Sequence, residues 1–312
     1  LVALDLKKQQ CNIIHIHNFS QFVPIIRYFH PRAKIVLHMH CEWLTQLHAP
    51  TIAKRIAQAD LILGCSNHIT NKIRDRFPQL AARCQTVYNG VNTDIFVPHP
   101  NQQFNSIAPK LLFVGRISPE KGIHLLIEAF ERVVQQYPQA QLIIVGPEVI
   151  VAKEFLTDLS DNPQITALAP LYASSYLQYL KHQIPSHLVS QIVFAGSLRQ
   201  EELVQYYQNA DLVVNPSLSE AFGMSLVEAM ACETPVIGAR VGGMPEAISE
   251  NVTGLLFESG NATALAKTIL QILAEPSLQV SLGKAGRARV LELFSWQRIA
   301  ESLWRGYYTN LK

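Results

Sequence analysis

Short runs of Val, Ile and Leu alternate along the chain with longer segments in which apolar residues recur every three or four positions. The first pattern is that of strands buried on both faces of a parallel sheet, and the second that of helices packed on such a sheet. Over the N-terminal hundred residues the runs predict strands at 12–17, 34–39, 60–64 and 85–88. Further on they predict strands at 111–114, 141–145, 191–195, 212–214, 235–237 and 254–257. Ile123, Ile127, Phe130, Val134 and Tyr137 mark one buried helical face, so this helix and the strand after it complete a β-α-β unit. Helical spacing also covers 263–273, 278–294 and 296–308. The last of these has Ser295 as its expected N-cap and a stripe of Trp296, Ile299, Leu303 and Tyr307 that requires a surface to cover.

Between the two strand sets, segment 96–110 (FVPHPNQQFNSIAPK) holds three prolines and no periodicity, and reads as a linker. The expected architecture is α/β, with two Rossmann-like halves at 1–103 and 104–295 and a final helix, 296–312, returning to the first half. The first half shows four strands, without an initial strand and its Gly-rich turn. The chain opens on Leu1, and LVALDLKKQQ reads as the tail of a helix. The expectation is therefore an N-terminal domain short of its first β-α units.

Composition narrows the classes. With 312 residues the chain exceeds what one core usually holds, and 48% apolar content excludes disordered and fibrous types. Lys and Arg number 26 against 24 Asp and Glu, leaving a net charge of +2 and no footprint for nucleic acid or basic patch for anionic lipid. Five cysteines without a C-x-x-C pair fit neither a disulfide framework nor a zinc ribbon, and point to a reducing cytoplasm. The longest uncharged stretch, 162–180, is broken by Pro163 and Pro170, and no signal segment opens the chain.

Two segments carry chemistry. In 215–248 a strand runs into a Pro/Ser loop bearing Glu220 and enters a helix near Gly223. Amides of Gly223, Met224 and Ser225 at a helix start suit a diphosphate, and Gly223 permits close approach. Were helical geometry to hold, Glu228 would fall about 80° round from Glu220, and the two carboxylates would suit sugar hydroxyls. The same residues also fit a dipole-favoured acid and a solvated glutamate. In 111–130, Gly115 opens a turn after a buried strand, and Arg116 and Lys121 flank Pro119 before a helix starts near Gly122. Two cations at a strand's C-terminal end can neutralise a leaving diphosphate, although Arg116 with Glu120 also fits a surface pair. Ligands in open α/β sheets bind at such strand ends.

Gly115-Arg116 with Glu120-Lys121-Gly122, the Glu220/Glu228 pair within SEAFGMSLVEAMACETPVIG, and GGMPE at 242–246 together resemble glycosyltransferase family 4. VYNGVNTDIF at 87–96 is similar to that family's segment before its interdomain linker. The resemblance implies a GT-B fold with an interdomain cleft and a retaining hexosyltransferase, metal-independent, drawing on a nucleotide-sugar and needing no other cofactor. Arg116 and Lys121 would bind the diphosphate and Glu228 the ribose, while Glu220 and the amides of Ala221, Phe222, Gly223 and Met224 would hold the sugar. His40 would face that sugar, with Asn89 and Gly90 lining the cleft. The acceptor would be a glycan, a lipid-linked or a small molecule, in bacterial polysaccharide or glycolipid synthesis. The protein would be cytoplasmic, with peripheral contact at the inner face of the cytoplasmic membrane a further expectation.

Six of eleven histidines precede residue 50, and His15/His17 and His38/His40 are i, i+2 pairs on neighbouring predicted strands. Without acidic residues at ligand spacing they read as cleft or core histidines rather than a metal site, and His38 is given no role. Tyrosines within the connection 146–190 read as helix packing, and Gly146-Pro147-Glu148 departs from the family's Gly-x-Gly turn, which leaves base recognition open. Two other readings remain: a sugar-nucleotide 2-epimerase on the same fold, and a nucleotide-binding remnant without transfer.

Overall fold

The computed structural model describes residues 2–101, 104, 105, 107–149, 153 and 157–311. By contacts the chain divides into two units, Leu1–Gly90 with Gln297–Lys312, and Val91–Trp296.

The first unit carries four parallel strands in the order β1 (Ile13–His17), β2 (Lys34–Met39), β3 (Leu61–Gly64) and β4 (Cys84–Thr86). Strands β2 and β3 read KIVLHM and LILG and lie inside the sheet, where both faces are covered and no polar alternation is needed. Asp60 Oδ2 pins the entry to β3, accepting from Ile35 N–H at 2.8 Å and from Arg27 at 2.5 Å. β1 is an edge strand, and the helix Phe22–Phe29 buries Val23 and Ile26 but leaves Phe22, Ile25 and Tyr28 exposed. The opening segment forms the helix Val2–Gln9.

On the sheet's other side of the core, Ile299, Leu303 and Tyr307 of the helix Trp296–Asn310 pack against Val36, Leu61, Leu63 and Val87. Trp296 does not join that stripe: it is 57% exposed, because the chain enters the helix there while its backbone N–H is still tied to Val91 O.

The second unit has six parallel strands: β5 (Lys110–Val114), β6 (Gln141–Val145), β7 (Ile192–Gly196), β8 (Leu212–Asn215), β9 (Val236–Ala239) and β10 (Leu255–Phe257). Their order is β10-β9-β8-β5-β6-β7. The winding reverses between β5 and β8, and the loops leaving those two strands open a crevice at the carboxyl edge. Behind the sheet, Leu126, Phe130 and Val133 of Ile123–Gln136 are buried, as are Leu265, Ile269 and Ile272 of Ala262–Leu273.

The contact boundary lies at Gly90, ahead of the Pro-rich segment expected to be the linker and of the expected 103/104 division. Val91 N–H donates to Phe294 O at 2.8 Å, and the fully buried Phe96 meets Tyr207 edge-on with ring centroids 5.9 Å apart. Segment 91–97 is thus packed as part of the second unit: prolines mark where regular structure stops, not where packing does. Residues 102, 103 and 106 of the expected linker lie outside the described residues.

Within 146–190 the described residues form the helices Pro163–Thr166 and Tyr176–Gln183, residues 150–152 and 154–156 lying outside the description. Ile165, Leu168 and Leu218 make a small core, and the Tyr176 hydroxyl lies 2.7 Å from His124 Nδ1. Burial pushes the His124 imidazole down from 6.5 to about 4. The unfolded chain therefore takes up this proton first as pH falls, so the contribution is complete above 6.5 and lost on the way down to about 4. Urea midpoints across that window are expected to fall with pH less steeply in His124→Gln than in the parent; equal slopes would remove His124 from the account.

Candidate active site

The reversal at β5 and β8 brings the two motif loops together. After β5 the chain turns at Gly115, whose N–H donates to Val145 O at 2.9 Å, then makes a single turn of 3-10 helix over Pro119–Lys121. Gly122 takes a left-handed conformation, φ +68°, and the helix Ile123–Gln136 follows. A Cβ at Gly122 would strike Pro216 O in the loop after β8. Leu218 N–H of that second loop donates to Glu120 O at 2.8 Å, which stitches the loops backbone to backbone.

Across this seam Lys121 Nζ meets Glu220 Oε2 at 2.7 Å, with side chains 15% and 17% exposed. Burial alone would raise the Glu220 carboxyl, but the charge and hydrogen bond of Lys121, with donors from Phe222 N–H and Asn215, hold it below the ordinary carboxylate range. Arg116 pairs with Glu120 at 3.0 Å while remaining 42% exposed. Glu120 is buried and also accepts from the Ser118 and Tyr172 hydroxyls, each at 2.7 Å. The Arg116–Glu120 pair anticipated as a surface contact is therefore one-sided: the acid is interior and fixed, and the guanidinium stands at the surface above it.

Glu220 itself is not helical. The helix is Met224–Ala231, entered from Gly223 at φ +100°, so Glu220 and Glu228 do not share a helical face as their spacing suggested. Glu220 lies in an irregular loop laid against Gly242 and Gly243, Gly243 N–H donating to Glu220 O at 3.1 Å. Gly223, Met224 and Ser225 have backbone N–H groups without an acceptor among the described residues, which is the condition for an anion site at a helix start.

Glu228, in the second turn, is half-buried rather than solvated and accepts from the Tyr207 hydroxyl at 2.7 Å. Burial raises its carboxyl, and the Tyr207 bond offsets part of that. Tyr207, Asn215, Ser118 and Tyr172 are site members that motif reading missed. Tyr207 and Tyr172 come from elements remote in sequence, and no motif marks either one. At the turn after β6, Glu148 accepts from Ser175 Oγ at 2.8 Å and Leu177 N–H at 3.1 Å.

In the first unit His40 follows β2. Its N–H donates to Asn18 Oδ1 at 2.7 Å, its Nδ1 lies 2.8 Å from Asn89 Oδ1, and its Nε2 lies 2.9 Å from His17 Nδ1. Burial lowers its imidazole; Asn89 works against the shift and His17 with it. His40 and Asn89 are thus brought together, and Gly90 is buried just beyond them. His38 lies deeper, its Nε2 3.1 Å from Val87 O.

Two parallel α/β units, with an acid, a lysine and unengaged helix amides at a strand-order reversal, define an open α/β protein with a polar site at its strand ends. The family comparisons are specific. Residues 98–289 match the model for glycosyl transferases group 1, and residues 2–95 the model for Glycosyltransferase Family 4. The chain belongs to this glycosyltransferase family. It is similar to spore coat protein SA of Bacillus subtilis, 26% identical over 328 residues covering 99% of this chain and 81% of the relative. Its structure is similar to sucrose-phosphate synthase from Thermosynechococcus elongatus, with TM-score 0.72 and 27% identity over 96% of this chain and 73% of the other. Anabaena HepE in complex with UDP and glucose aligns with TM-score 0.73 at 21% identity, covering 97% of this chain and 80% of that one. The fold is GT-B, and the chain is a glycosyltransferase. No helix among the described residues is long and apolar enough to cross a membrane.

The seam between the two loops makes a direct prediction. Gly242 has φ +59°, and a Cβ there would strike Glu220 O. Gly242→Ala is expected to cost more than about 1 kcal/mol in denaturant unfolding. A variant as stable as the parent would show that the Glu220 loop is not held this way.

Proposed function

We propose that the second unit binds a nucleotide-diphosphate sugar and that the chain transfers its hexose, with retention at the anomeric carbon, to an acceptor hydroxyl. The observation that carries this reading is the Lys121–Glu220 pair at 2.7 Å beside the unengaged amides of Gly223, Met224 and Ser225. One carboxylate, one ammonium and a helix start then converge where a sugar joined to a diphosphate presents hydroxyls and negative charge together.

In this mechanism the glycosidic C1–O bond loosens toward an oxocarbenium ion as the diphosphate departs. Arg116, Lys121 and the helix amides stabilise the charge that grows on the leaving oxygen, so no divalent cation is needed for that step. Glu220, kept ionised by Lys121, accepts hydrogen bonds from the transferred sugar. Glu228, steadied by Tyr207, does the same for the ribose. The acceptor hydroxyl attacks from the face the diphosphate leaves and passes its proton to the departing phosphate oxygen. His40 of the first unit is assigned to catalysis on the family resemblance, with Asn89 orienting its ring. The Anabaena neighbour holds UDP and glucose, the donor class proposed here. The acceptor class is a glycan, a lipid-linked or a small molecule.

Thermal-shift screening with UDP, GDP and ADP, then their sugars, is expected to single out one base. Turnover of that donor is expected to fall about tenfold or more in Arg116→Ala and in Lys121→Ala, as a charged hydrogen bond to the leaving group is lost. Undiminished turnover in either variant would sink the mechanism. A donor whose sugar changes configuration without acceptor would identify an epimerase, and nucleoside-diphosphate binding without turnover would identify a remnant.

A further inference from the structure

Strand pairing assembles four imidazoles in the first unit. On β1, His15 and His17 stack with ring centroids 4.4 Å apart and planes 13° apart. His17 pairs in register with His38 of β2, and the His38 ring lies 5.4 Å from that of His15. One ring nitrogen from each of His15, His17 and His38 lies within 4.8 Å of the other two. His38 is buried, His15 half-buried and His17 exposed, so the group opens to solvent on one side.

Hydrogen bonds select the tautomers. Val87 O only accepts, so His38 Nε2, 3.1 Å away, carries the proton and Nδ1 keeps its lone pair. Asn89 Oδ1 likewise requires a proton on His40 Nδ1, which leaves His40 Nε2 as acceptor. His17 Nδ1, 2.9 Å from it, is then the donor, and His17 Nε2 keeps its lone pair. His15 Nδ1 lies 2.6 Å from the Tyr307 hydroxyl, while its Nε2 is buried without a hydrogen-bond partner among the described residues. A buried polar atom left unpaired is costly and calls for a partner.

We infer that His15, His17 and His38 bind one divalent cation of the zinc class. Each ring has one nitrogen engaged, by Tyr307, His40 or Val87, and the near-parallel rings turn toward a common point as the ion binds. Three imidazoles suit zinc among the common divalent ions and leave a fourth position for water or another oxygen ligand. The site is carried wholly by the first unit and is independent of the diphosphate chemistry proposed for the second.

The test uses the full chain without an affinity tag, stripped with chelator and desalted. Zinc is titrated in competition with a chromophoric chelator, and cobalt(II) is followed by its visible absorption. One equivalent of zinc and a tetrahedral cobalt spectrum are expected, with affinity at least about tenfold weaker in His17→Gln, whose side chain is exposed and carries little packing. His15→Gln is expected to behave likewise, its fold checked by its melting curve. A parent chain that takes up no stoichiometric zinc overturns the inference, whatever the variants do. So does undiminished affinity in His17→Gln, which would place the ion elsewhere, for instance on cysteine.

Discussion

The ion pair between Lys121 and Glu220 is the constraint around which the second unit is arranged. Each charge, taken singly from water at that depth, would cost several kcal/mol, and each makes the other tolerable. To meet, they need the loops after β5 and β8 side by side, which only a reversal of strand order at that point supplies. They also need backbones in near contact, hence Gly122 against Pro216 and Gly242 against Glu220. Glu120 completes the arrangement from beneath, accepting from Ser118, Tyr172 and Arg116 and presenting its main-chain oxygen to Leu218. These side chains are therefore fixed by one another in the folded chain, with little rotamer freedom left to lose.

The first unit works with a different chemistry. Its polar cluster is built from imidazoles, an asparagine, a tyrosine hydroxyl and a main-chain carbonyl, linked from Tyr307 and His15 to His17, His40 and Asn89 by hydrogen bonds at either end and ring stacking between. Because the C-terminal helix supplies Tyr307, the end of the chain takes part in a group whose other members all lie before residue 90.

The strands were legible in the sequence because buried parallel strands need no polar alternation: KIVLHM, LILG, KLLFV and QLIIV carry their own boundaries. Arg116, Lys121, Glu220 and Glu228 were legible because they lie in short motifs at strand ends. What escaped were partners whose role exists only after folding. Tyr207 is an unremarked helical tyrosine until Glu228 is placed beside it, and Tyr172 one of several tyrosines in a long connection until Glu120 needs a donor. Spacing misled where the backbone was assumed regular: eight residues from Glu220 to Glu228 are half loop. It misled again at Trp296, which keeps the helical period yet sits where the chain is still bound to Val91.

β1 leaves one side of its backbone unpaired among the described residues, and Ile13, Phe19, Phe22 and Ile25 stand 37–47% exposed around it. An unpaired parallel strand flanked by oily side chains is a template on which another chain can add. Charge placed along that edge is a lever on association that leaves the loops after β5 and β8 untouched.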